Sequence, residues 1–310
     1  MNFLRFALPH YKKTIEYFSK GKGYGKKKSV RKILAIFDFL FKSNFVEVQG
    51  QKMYLAKKGF DEYSTSKIYG ELDTRIVESL IKPGDYVIDV GAAIGYFTLI
   101  FARLVGKDGL VIAFEPKDER FEILTKNVIV NNHKNIKLEK KAILTKNGDS
   151  TFFSLSDMTG LHFVANIDEF IHNSDTHRQI IPYQVSTINL DEYLKNLGIL
   201  KKISFMKIDV DGPELLVLQS SKLLLQNDNL KILIEWDVIS AQRCKCNPDT
   251  IIDVLLENNF KIFYPNYKEN KYFQISKYEL LKKPIILDET INLVCIKDTS
   301  ILEKIIYFGK

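Results

Sequence analysis

The segment Tyr86–Thr98, with the sequence YVIDVGAAIGYFT, constrains the fold more than any other part of the chain. It begins with a short apolar run that is typical of a strand covered on both faces. Asp89 closes the run, and Gly91 and Gly95 mark a turn before a helical pattern begins at Tyr96. A glycine turn between a strand and a helix lets a ligand lie against bare backbone and the helix N-terminus. The segment therefore predicts an α/β fold that holds an adenosine-containing cofactor at the carboxyl ends of its strands.

A second acidic residue indicates how the ribose of such a cofactor is held. The apolar run Leu110–Phe114 ends in Glu115-Pro116, twenty residues beyond Gly95. An acid at this distance after a glycine turn usually hydrogen-bonds the ribose hydroxyls, in proteins that bind NAD and in those that bind S-adenosylmethionine. Alternatively, Asp89 and Glu115 are only solvated strand ends, but two acids in register with a glycine turn make that reading the weaker one.

The sequence of the turn distinguishes between NAD and S-adenosylmethionine as the cofactor. A dinucleotide site requires the spacing G-x-G-x-x-G around the pyrophosphate, whereas this turn reads Gly91-Ala92-Ala93-Ile94-Gly95. Asp89 would also repel a pyrophosphate, while its charge suits the ammonium and sulfonium groups of S-adenosylmethionine. The sequence therefore favours S-adenosylmethionine over a dinucleotide.

Strand and helix patterns alternate after residue 70. A helix is predicted over 71–81, and it ends at Lys82-Pro83-Gly84-Asp85, which is a turn signature. This order predicts parallel strands with helices on both faces of the sheet. The predicted strands are 86–90, 110–114, 136–139, 203–208, 230–235, 260–264 and 291–296.

Residues 145–188 interrupt this alternation and predict an insertion that covers the substrate. The insertion contains two strand-like stretches and the three histidines His162, His172 and His177. Their spacing matches no metal site, so each is by default a surface histidine, although one of them could act as a base.

The charge of the chain is unevenly distributed. Residues 1–60 contain 14 Lys and Arg but 3 Asp and Glu, whereas the rest contains 31 basic and 35 acidic side chains. A lysine- and glycine-rich loop at 21–28 precedes a predicted helix from Ser29 to Lys42 with a broad apolar stripe. Residues 1–45 therefore either contact an anionic membrane surface or pack on the main domain, and the second is commoner for such stripes. We predict a basic N-terminal extension with a hairpin over 1–60 and the main domain over 61–310.

The three cysteines, Cys244, Cys246 and Cys295, cannot form a paired framework or a four-ligand zinc site unaided. Free thiols in a reducing compartment explain them better. No apolar run approaches the roughly 18 residues that a membrane-spanning helix needs, and the N-terminus lacks the features of a signal peptide. We therefore expect a cytoplasmic protein without a bound metal, peripheral to a membrane if residues 1–45 make that contact.

A second acidic cluster follows the strand predicted at 203–208. The stretch MKIDVDGPE, residues 206–214, puts three carboxylates on the strand end and on the first turn of the next helix. Helix capping is enough to explain Glu214. Asp209, however, lies at the strand end where α/β folds bind ligands, and could hold an amino group of the cofactor or accept a proton from a substrate hydroxyl.

From about Leu72 to Ile296, the chain resembles the FkbM-type S-adenosylmethionine-dependent methyltransferases. The resemblance is carried by KPGD at 82–85, DVGAAIG at 89–95, FEP at 114–116, TINLD at 187–191 and MKIDVDGPE at 206–214. The chain departs from the family pattern at Ala93, where the family usually has Asn, and at Asp211, where it usually has Glu. The resemblance implies a Rossmann-like class I methyltransferase fold, α/β, with seven mostly parallel strands of which the last is antiparallel. It also implies methylation of hydroxyls of sugars, glycolipids or secondary metabolites.

The expected reaction is an in-line methyl transfer to an oxygen of a small-molecule or glycan acceptor. Asp211 is the first candidate for the base that takes the hydroxyl proton, and Asp209 is its rival. The residues expected to contact the cofactor are Asp89, Gly91, Ala92, Gly95, Tyr96, Glu115, Pro116, Ala142 and Asp209.

Two rival functions stay open. A nucleic-acid methyltransferase would use the basic segment to contact phosphates, but we do not expect one, because the chain lacks an N-P-P-Y-type motif and its basic segment is short. A non-catalytic module would bind anionic lipids through residues 1–45, and this role is compatible with an enzyme whose acceptor is lipid-linked.

Overall fold

The computed structural model of the protein describes residues 46–55, 70–155, 180–283 and 291–298. The strands are β1 (Val46–Val48), β2 (Gln51–Met53), β3 (Tyr86–Val90), β4 (Leu110–Phe114), β5 (Ile136–Glu139), β6 (Ala142–Ile143), β7 (Gly148–Leu155), β8 (Ile180–Ile188), β9 (Ile203–Ile208), β10 (Lys231–Trp236), β11 (Lys261–Asn266), β12 (Lys271–Gln274) and β13 (Ile291–Ile296). The α-helices are α1 (Glu71–Leu80), α2 (Tyr96–Val105), α3 (Asp118–Val130), α4 (Leu190–Asn196), α5 (Glu214–Gln219), α6 (Val238–Arg243), α7 (Pro248–Glu257) and α8 (Lys277–Leu281).

Within the described residues, the central sheet has eight strands in the order β12-β11-β13-β10-β9-β3-β4-β5. The strands β5, β4, β3, β9 and β10 are parallel, and β13 lies antiparallel between β10 and β11. The predicted mostly parallel sheet with an antiparallel last strand is therefore confirmed. The edge strand β12 was not predicted, because its four residues, KYFQ, are too few to carry a pattern.

The central parallel strands form where the sequence supplies apolar side chains for both faces. Residues 87–90 of β3 and 111–114 of β4 are all buried. In β9, a buried apolar run is interrupted by Lys207, which is only 2 % exposed. A lysine at the centre of such a sheet requires buried partners of opposite charge.

The position of the site follows from a reversal in strand order. From β3 the chain continues through β4 to the edge strand β5, and it later returns to β9 on the other side of β3. Connections that leave neighbouring strands in opposite directions open a crevice at the carboxyl ends of those strands. The ends of β3 and β9 therefore form the floor of the site.

Helix α2 fixes the turn that follows β3. Nearly all of its residues are buried, so the helix is apolar around most of its circumference. Phe101 meets Phe205 of β9 edge to face, with ring centroids 5.5 Å apart, a geometry worth roughly 1 kcal/mol beyond area burial. This packing holds the N-terminus of α2 beside the carboxyl ends of β3 and β9.

The insertion contributes a second sheet with the order β6-β8-β7. Strands β7 and β8 form a long antiparallel ladder from Gly148 and Thr187 to Leu155 and Ile180. The ladder packs through Phe152 into a small apolar cluster, whose other buried members are Ala142, Leu144 and Val185. The three histidines of the insertion lie outside the described residues, and their roles stay predictions.

The predicted hairpin is formed by β1 and β2, and its turn is at Gln49 and Gly50, which have φ of 50° and 76°. The hairpin docks on α3, because Asn127 and Asn131 bond the backbones of Tyr54 and Lys52, respectively.

By its contacts, the segment 47–310 forms one compact unit that includes most of this hairpin. The predicted helix from Ser29 to Lys42 and the lysine- and glycine-rich loop lie outside the described residues, so the division of the chain at residue 60 stays a prediction. In the part that is described, no helix is long and apolar enough to cross a membrane.

Candidate active site

A crevice of about 500 Å³ opens at the carboxyl ends of β3, β4 and β9. Its walls come from the turn after β3, the start of α3, the strand β6 and the loop between β9 and α5. Six of the residues predicted for the site line this crevice, namely Gly91, Glu115, Pro116, Ala142, Asp209 and Asp211. The crevice thus brings together residues that are up to 120 positions apart in the sequence.

Gly91 is required by a close approach of two backbones. It has φ of 80°, and a Cβ at this position would lie 1.7 Å from the carbonyl oxygen of Asp209. The amides of Gly91 and Ala92 donate to the carbonyl of Phe114, at 3.0 and 2.9 Å. The turn is therefore fixed between β9 and β4, and its bare backbone forms one wall of the crevice.

Glu115 is held by two backbone amides. Its carboxylate accepts hydrogen bonds from the amides of Ala93 (2.9 Å) and Lys117 (2.8 Å). Burial raises the pKa of Glu115, and the guanidinium of Arg120 opposes that shift. A carboxylate has about four acceptor positions, so Glu115 can bond both amides and still accept from two ribose hydroxyls.

Ala93 has φ of 49°, a left-handed conformation that Asn and Gly adopt more readily than Ala. The departure from the family pattern therefore places a strained residue in the turn. The amide of Ala93 still reaches Glu115, so the turn keeps its shape despite the substitution.

The side chain of Asp89 does not line the crevice. It is fully buried and accepts a hydrogen bond of 2.5 Å from the hydroxyl of Thr98, in the first turn of α2. Its other oxygen, Oδ1, has no hydrogen-bond partner in the described structure. Asp89 thus anchors the first turn of α2 from within the core, and its contact with the cofactor stays a prediction.

Three other predicted contacts, Ala92, Gly95 and Tyr96, are not at the crevice wall. The side chain of Tyr96 is turned to α1, where its hydroxyl lies 3.0 Å from the hydroxyl of Thr74. The direction in which α2 packs determines this orientation, and the contact between Tyr96 and the cofactor stays a prediction. Gly95 shapes the start of α2, with φ of 97°, and is likewise absent from the wall.

Lys207 and Asp209 form an ion pair at the end of β9, in which the lysine is buried and the carboxylate is partly exposed. The Nζ of Lys207 donates to Oδ2 of Asp209 at 2.6 Å, and it also lies 5.0 Å from the centre of the Phe97 ring. Burial lowers the pKa of Lys207, but the attraction of Asp209, Asp89 and Glu235 outweighs burial and raises it overall. Lys207 therefore remains charged inside the protein.

The loop after β9 directs Asp211 into the crevice. Asp211 has φ of 59°, which a short acidic side chain adopts more readily than the family's Glu. Its Oδ2 lies 4.0 Å from the guanidinium of Arg120. Glu214 holds the loop by accepting from the amides of Gly212 (3.0 Å) and Val210 (3.3 Å), which precede α5. These bonds order the loop, and the capping role stays a prediction.

The sequence analysis missed Arg120, Lys207 and Glu235. Lys207 and Glu235 could have been found, since the first is a charged residue inside an apolar run and the second is an acid at a strand end, as Glu115 is. Arg120 carried no signal, because an arginine in the first turns of an amphipathic helix is usually solvated.

The three cysteines are free and buried. In the described ranges, no group of three or more His, Cys, Asp or Glu side chains could hold a metal ion.

The described residues fit S-adenosylmethionine in charge and shape. Gly91 leaves room for a ligand against the backbone, and Glu115 has spare acceptor positions. At the crevice wall, the partly exposed carboxylate of Asp209 provides negative charge, which suits a cation.

Comparison with known proteins assigns the family. A family model described as the methyltransferase FkbM domain matches residues 89–262, more than half of the chain and all of the motifs from Asp89 to Glu214. The chain belongs to the FkbM methyltransferase family. A second model, described as protein-L-isoaspartate(D-aspartate) O-methyltransferase, matches residues 20–151.

Individual relatives of this FkbM methyltransferase are distant. "Methyltransferase 1" of Beauveria bassiana (strain ARSEF 2860) is 23 % identical over 146 residues, which are 43 % of this chain and 57 % of that protein. The chain thus spans little more than half of this relative. A putative rRNA-methylase from Clostridium thermocellum is 13 % identical, with a TM-score of 0.41, over 73 % of this chain and 94 % of that one. The methyltransferase FkbM from Methylobacillus flagellatus KT is 12 % identical, with a TM-score of 0.40, over 70 % of this chain and 47 % of that one.

Membership in the FkbM methyltransferase family confirms the family predicted from the sequence, and it confirms S-adenosylmethionine as the cofactor that the family's domain implies. The relatives leave the methyl acceptor undetermined.

Proposed function

We propose that the protein transfers the methyl group of S-adenosylmethionine to a hydroxyl of a sugar, a glycolipid or a secondary metabolite. The main support is that two carboxylates, Asp209 and Asp211, line the crevice with side chains that are 36 % and 39 % exposed. A hydroxyl is a weak nucleophile, and a carboxylate that takes its proton can accelerate transfer by roughly 10²–10⁴-fold.

The contacts of the two carboxylates favour Asp211 as the base. Asp209 accepts a short hydrogen bond from the buried Lys207, so its Oδ2 is already engaged by a cation. The guanidinium of Arg120 is farther from Asp211, at 4.0 Å. In this assignment Asp209 holds the amino group of the donor and Asp211 takes the proton.

The remaining crevice residues bind and orient. Glu115 accepts hydrogen bonds from the ribose, and the buried side chains of Ala142 and Phe152 form an apolar surface beside the adenine. The backbone at Gly91 leaves space for the part of the donor nearest β3. S-adenosylmethionine, when bound, supplies an electrophilic methyl group on a positively charged sulfur.

The assignment of the base is tested with Asp211→Asn and Asp209→Asn. Asn also adopts positive φ readily, so Asp211→Asn removes charge without straining the loop. We expect Asp211→Asn to lower kcat by about 100-fold or more and to leave the affinity for S-adenosylhomocysteine within about threefold, whereas Asp209→Asn weakens that affinity. Calorimetry and a labelled-methyl assay measure the two effects. Unchanged turnover in Asp211→Asn would refute its role as base.

The acceptor is tested with labelled S-adenosylmethionine and separate fractions of cellular glycans, lipids, small molecules, protein and RNA. We expect the label in material that carries hydroxyl acceptors. Label in RNA alone would support the nucleic-acid methyltransferase instead, and label in protein carboxyl groups would support methyl-ester formation. Either of these outcomes would contradict the proposal.

A lipid-linked acceptor would connect the proposal with the basic segment. In that case residues 1–45, which are rich in lysine, contact an anionic membrane while the catalytic domain works at its surface. Flotation with anionic vesicles compares the full chain with a variant that lacks these residues. Equal flotation of the two proteins would exclude the contact.

A further inference from the structure

A layer of charged side chains lies beside α2 at the carboxyl ends of β3, β9 and β10. Asp89 is the neighbour of Lys207 in the β3–β9 register, and Lys207 is the neighbour of Leu233 in the β9–β10 register. Since side chains alternate along a strand, Glu235, two residues beyond Leu233, is on the same face as Lys207 and Asp209. Three carboxylates from three neighbouring strands therefore share one face of the sheet with Lys207.

Lys207 neutralises only part of this negative charge. Its ammonium donates to Asp209, so that carboxylate has a close cationic partner. Asp89 is bonded by the neutral hydroxyl of Thr98, and its Oδ1 has no partner within the described residues. Among those residues, no side-chain hydrogen bond or ion pair to Glu235 is found either. The layer thus has an excess of carboxylates over ammonium groups.

Glu235 is a carboxyl group of this layer that has no close cationic partner among the described residues. Burial raises its pKa well above the ordinary value, the repulsion of neighbouring carboxylates raises it further, and Lys207 opposes the shift. Opposite Glu235 in the register is Asn292 of β13, which donates to Asp73 of α1. The charged groups that act on Glu235 or on its partners in the layer are Asp73, Asp89, Lys207, Asp209, Asp211 and Glu214. Burial and the neighbouring carboxylates therefore favour the protonated form of Glu235 in the protein without a donor.

We propose that Glu235 is a specificity-determining residue of the donor site, which releases a proton to solvent when the cationic donor binds and so makes the site prefer S-adenosylmethionine to S-adenosylhomocysteine. The two ligands share the same ammonium and carboxylate groups, and they differ by the positive charge on sulfur. A cation beside Asp209 offsets the negative charge of the carboxylates around Glu235. Because that charge is what favours the protonated form, Glu235 then ionises, and its own negative charge attracts the cation. The product lacks that charge, leaves Glu235 protonated and is held less tightly.

This inference requires the donor but no particular acceptor, so it is tested without turnover. Calorimetry of each ligand is performed on the full chain near neutral pH in two buffers with different ionisation enthalpies. The buffer dependence of the heat gives the number of protons released. We expect about 0.5–1 proton with S-adenosylmethionine and close to none with S-adenosylhomocysteine. We also expect the ratio of the two affinities to increase with pH, by up to about tenfold per pH unit, over the range in which Glu235 is protonated in the free protein and ionised with the donor bound.

Two variants test whether Glu235 is the group that releases the proton. Glu235→Gln should abolish the extra proton release and make the affinity ratio independent of pH, whereas Glu257→Gln, a change at an exposed carboxylate of α7, should behave like the wild type. If Glu214→Gln abolishes the release and Glu235→Gln does not, the proposal is wrong about the residue.

The wild-type comparison is decisive even if Glu235→Gln does not fold. Equal proton release with the two ligands would overturn the proposal, because the sulfur charge would then have no effect on the layer. A wild-type protein that binds neither ligand would overturn the assignment of the cofactor together with the proposal. A change in the acceptor assignment alone would leave the expected proton release unaltered.

Discussion

Replacing Gly91 by alanine tests the contact on which the crevice depends. The turn after β3 and the end of β9 touch through their backbones, and the Cβ of an alanine would lie 1.7 Å from the carbonyl oxygen of Asp209. Ordinary contact begins at 3.4 Å, so the two segments would have to separate by about 1.7 Å. The amide of Asp209 donates to Val90 at 3.0 Å, and a separation of this size would break that bond.

The destabilisation from Gly91→Ala has three components. Alanine at φ of 80° costs about 1 kcal/mol relative to glycine. Forcing an extra carbon into a packed interior costs typically about 1–3 kcal/mol, and leaving a buried backbone amide without its acceptor costs about 1–3 kcal/mol. We expect Gly91→Ala to lower the free energy of unfolding by roughly 3–7 kcal/mol and to abolish donor binding.

Gly84→Ala is the matched control, because Gly84 has φ of 87° and open space around the position of a Cβ. It carries the same backbone strain without the clash, so it should cost about 1 kcal/mol. Urea unfolding gives the two stabilities, and calorimetry with S-adenosylhomocysteine gives the affinities. If Gly91→Ala is no more destabilising than Gly84→Ala, or binds the ligand as the wild type does, the close approach of the two backbones is not what forms the site.

Three further predictions concern single groups of the site. Thr98→Val removes the hydrogen bond to the buried Asp89 and should lower the free energy of unfolding by about 2–4 kcal/mol. The control Thr125→Val removes a hydrogen bond inside α3 and should lower it by less than about 1 kcal/mol. Equal losses in urea unfolding would mean that Thr98 does not anchor Asp89. Ala93→Gly relieves the strain at φ of 49° and should raise the free energy of unfolding by about 0.5–1 kcal/mol, unless the turn relaxes in solution. Burial raises the pKa of Glu214 to about 7, from an ordinary value of 4.5. Between these two pH values the folded protein keeps a proton that the unfolded chain has released. The free energy of unfolding should therefore fall as pH rises through this window, by up to about 3 kcal/mol. Urea unfolding of the wild type and Glu214→Gln from about pH 5 to 8 measures this slope, which Glu214→Gln should reduce.

The parallel strands and the glycine turn could be predicted from sequence because their signals are local. The apolar run of β3 is buried on both faces in any sheet that has helices on both sides, and the turn that follows needs its glycine wherever it docks. The strand β12 escaped prediction because its pairing with β11 stabilises it more than its own four residues do. The direction of the Tyr96 side chain could not be predicted for a related reason, since it depends on how α2 is rotated against α1.

The sequence predicted that acidic residues of the site stand at strand ends. It did not predict which of them are buried or what surrounds them. Asp89 and Asp209 follow similar apolar runs, yet one is fully buried under α2 and the other lines the crevice. The burial of Asp89 comes from the hydrogen bond with Thr98 and from the packing of α2, which are contacts between elements. The ionic layer around Lys207 likewise exists only because three strands are adjacent in the sheet.

The sequence by itself determined which segments form strands and helices, where the turn after the first parallel strand must lie, and which chemical groups stand at the strand ends. These properties depend on side-chain periodicity and on backbone conformations that act within a few residues. Only the tertiary structure decided that β9 returns beside β3 and that Gly91 meets Asp209. It also decided that Asp89, Asp209 and Glu235 surround a single buried lysine. Charge and burial act through space, so the pKa of each of these groups depends on neighbours that the chain brings together only when it folds.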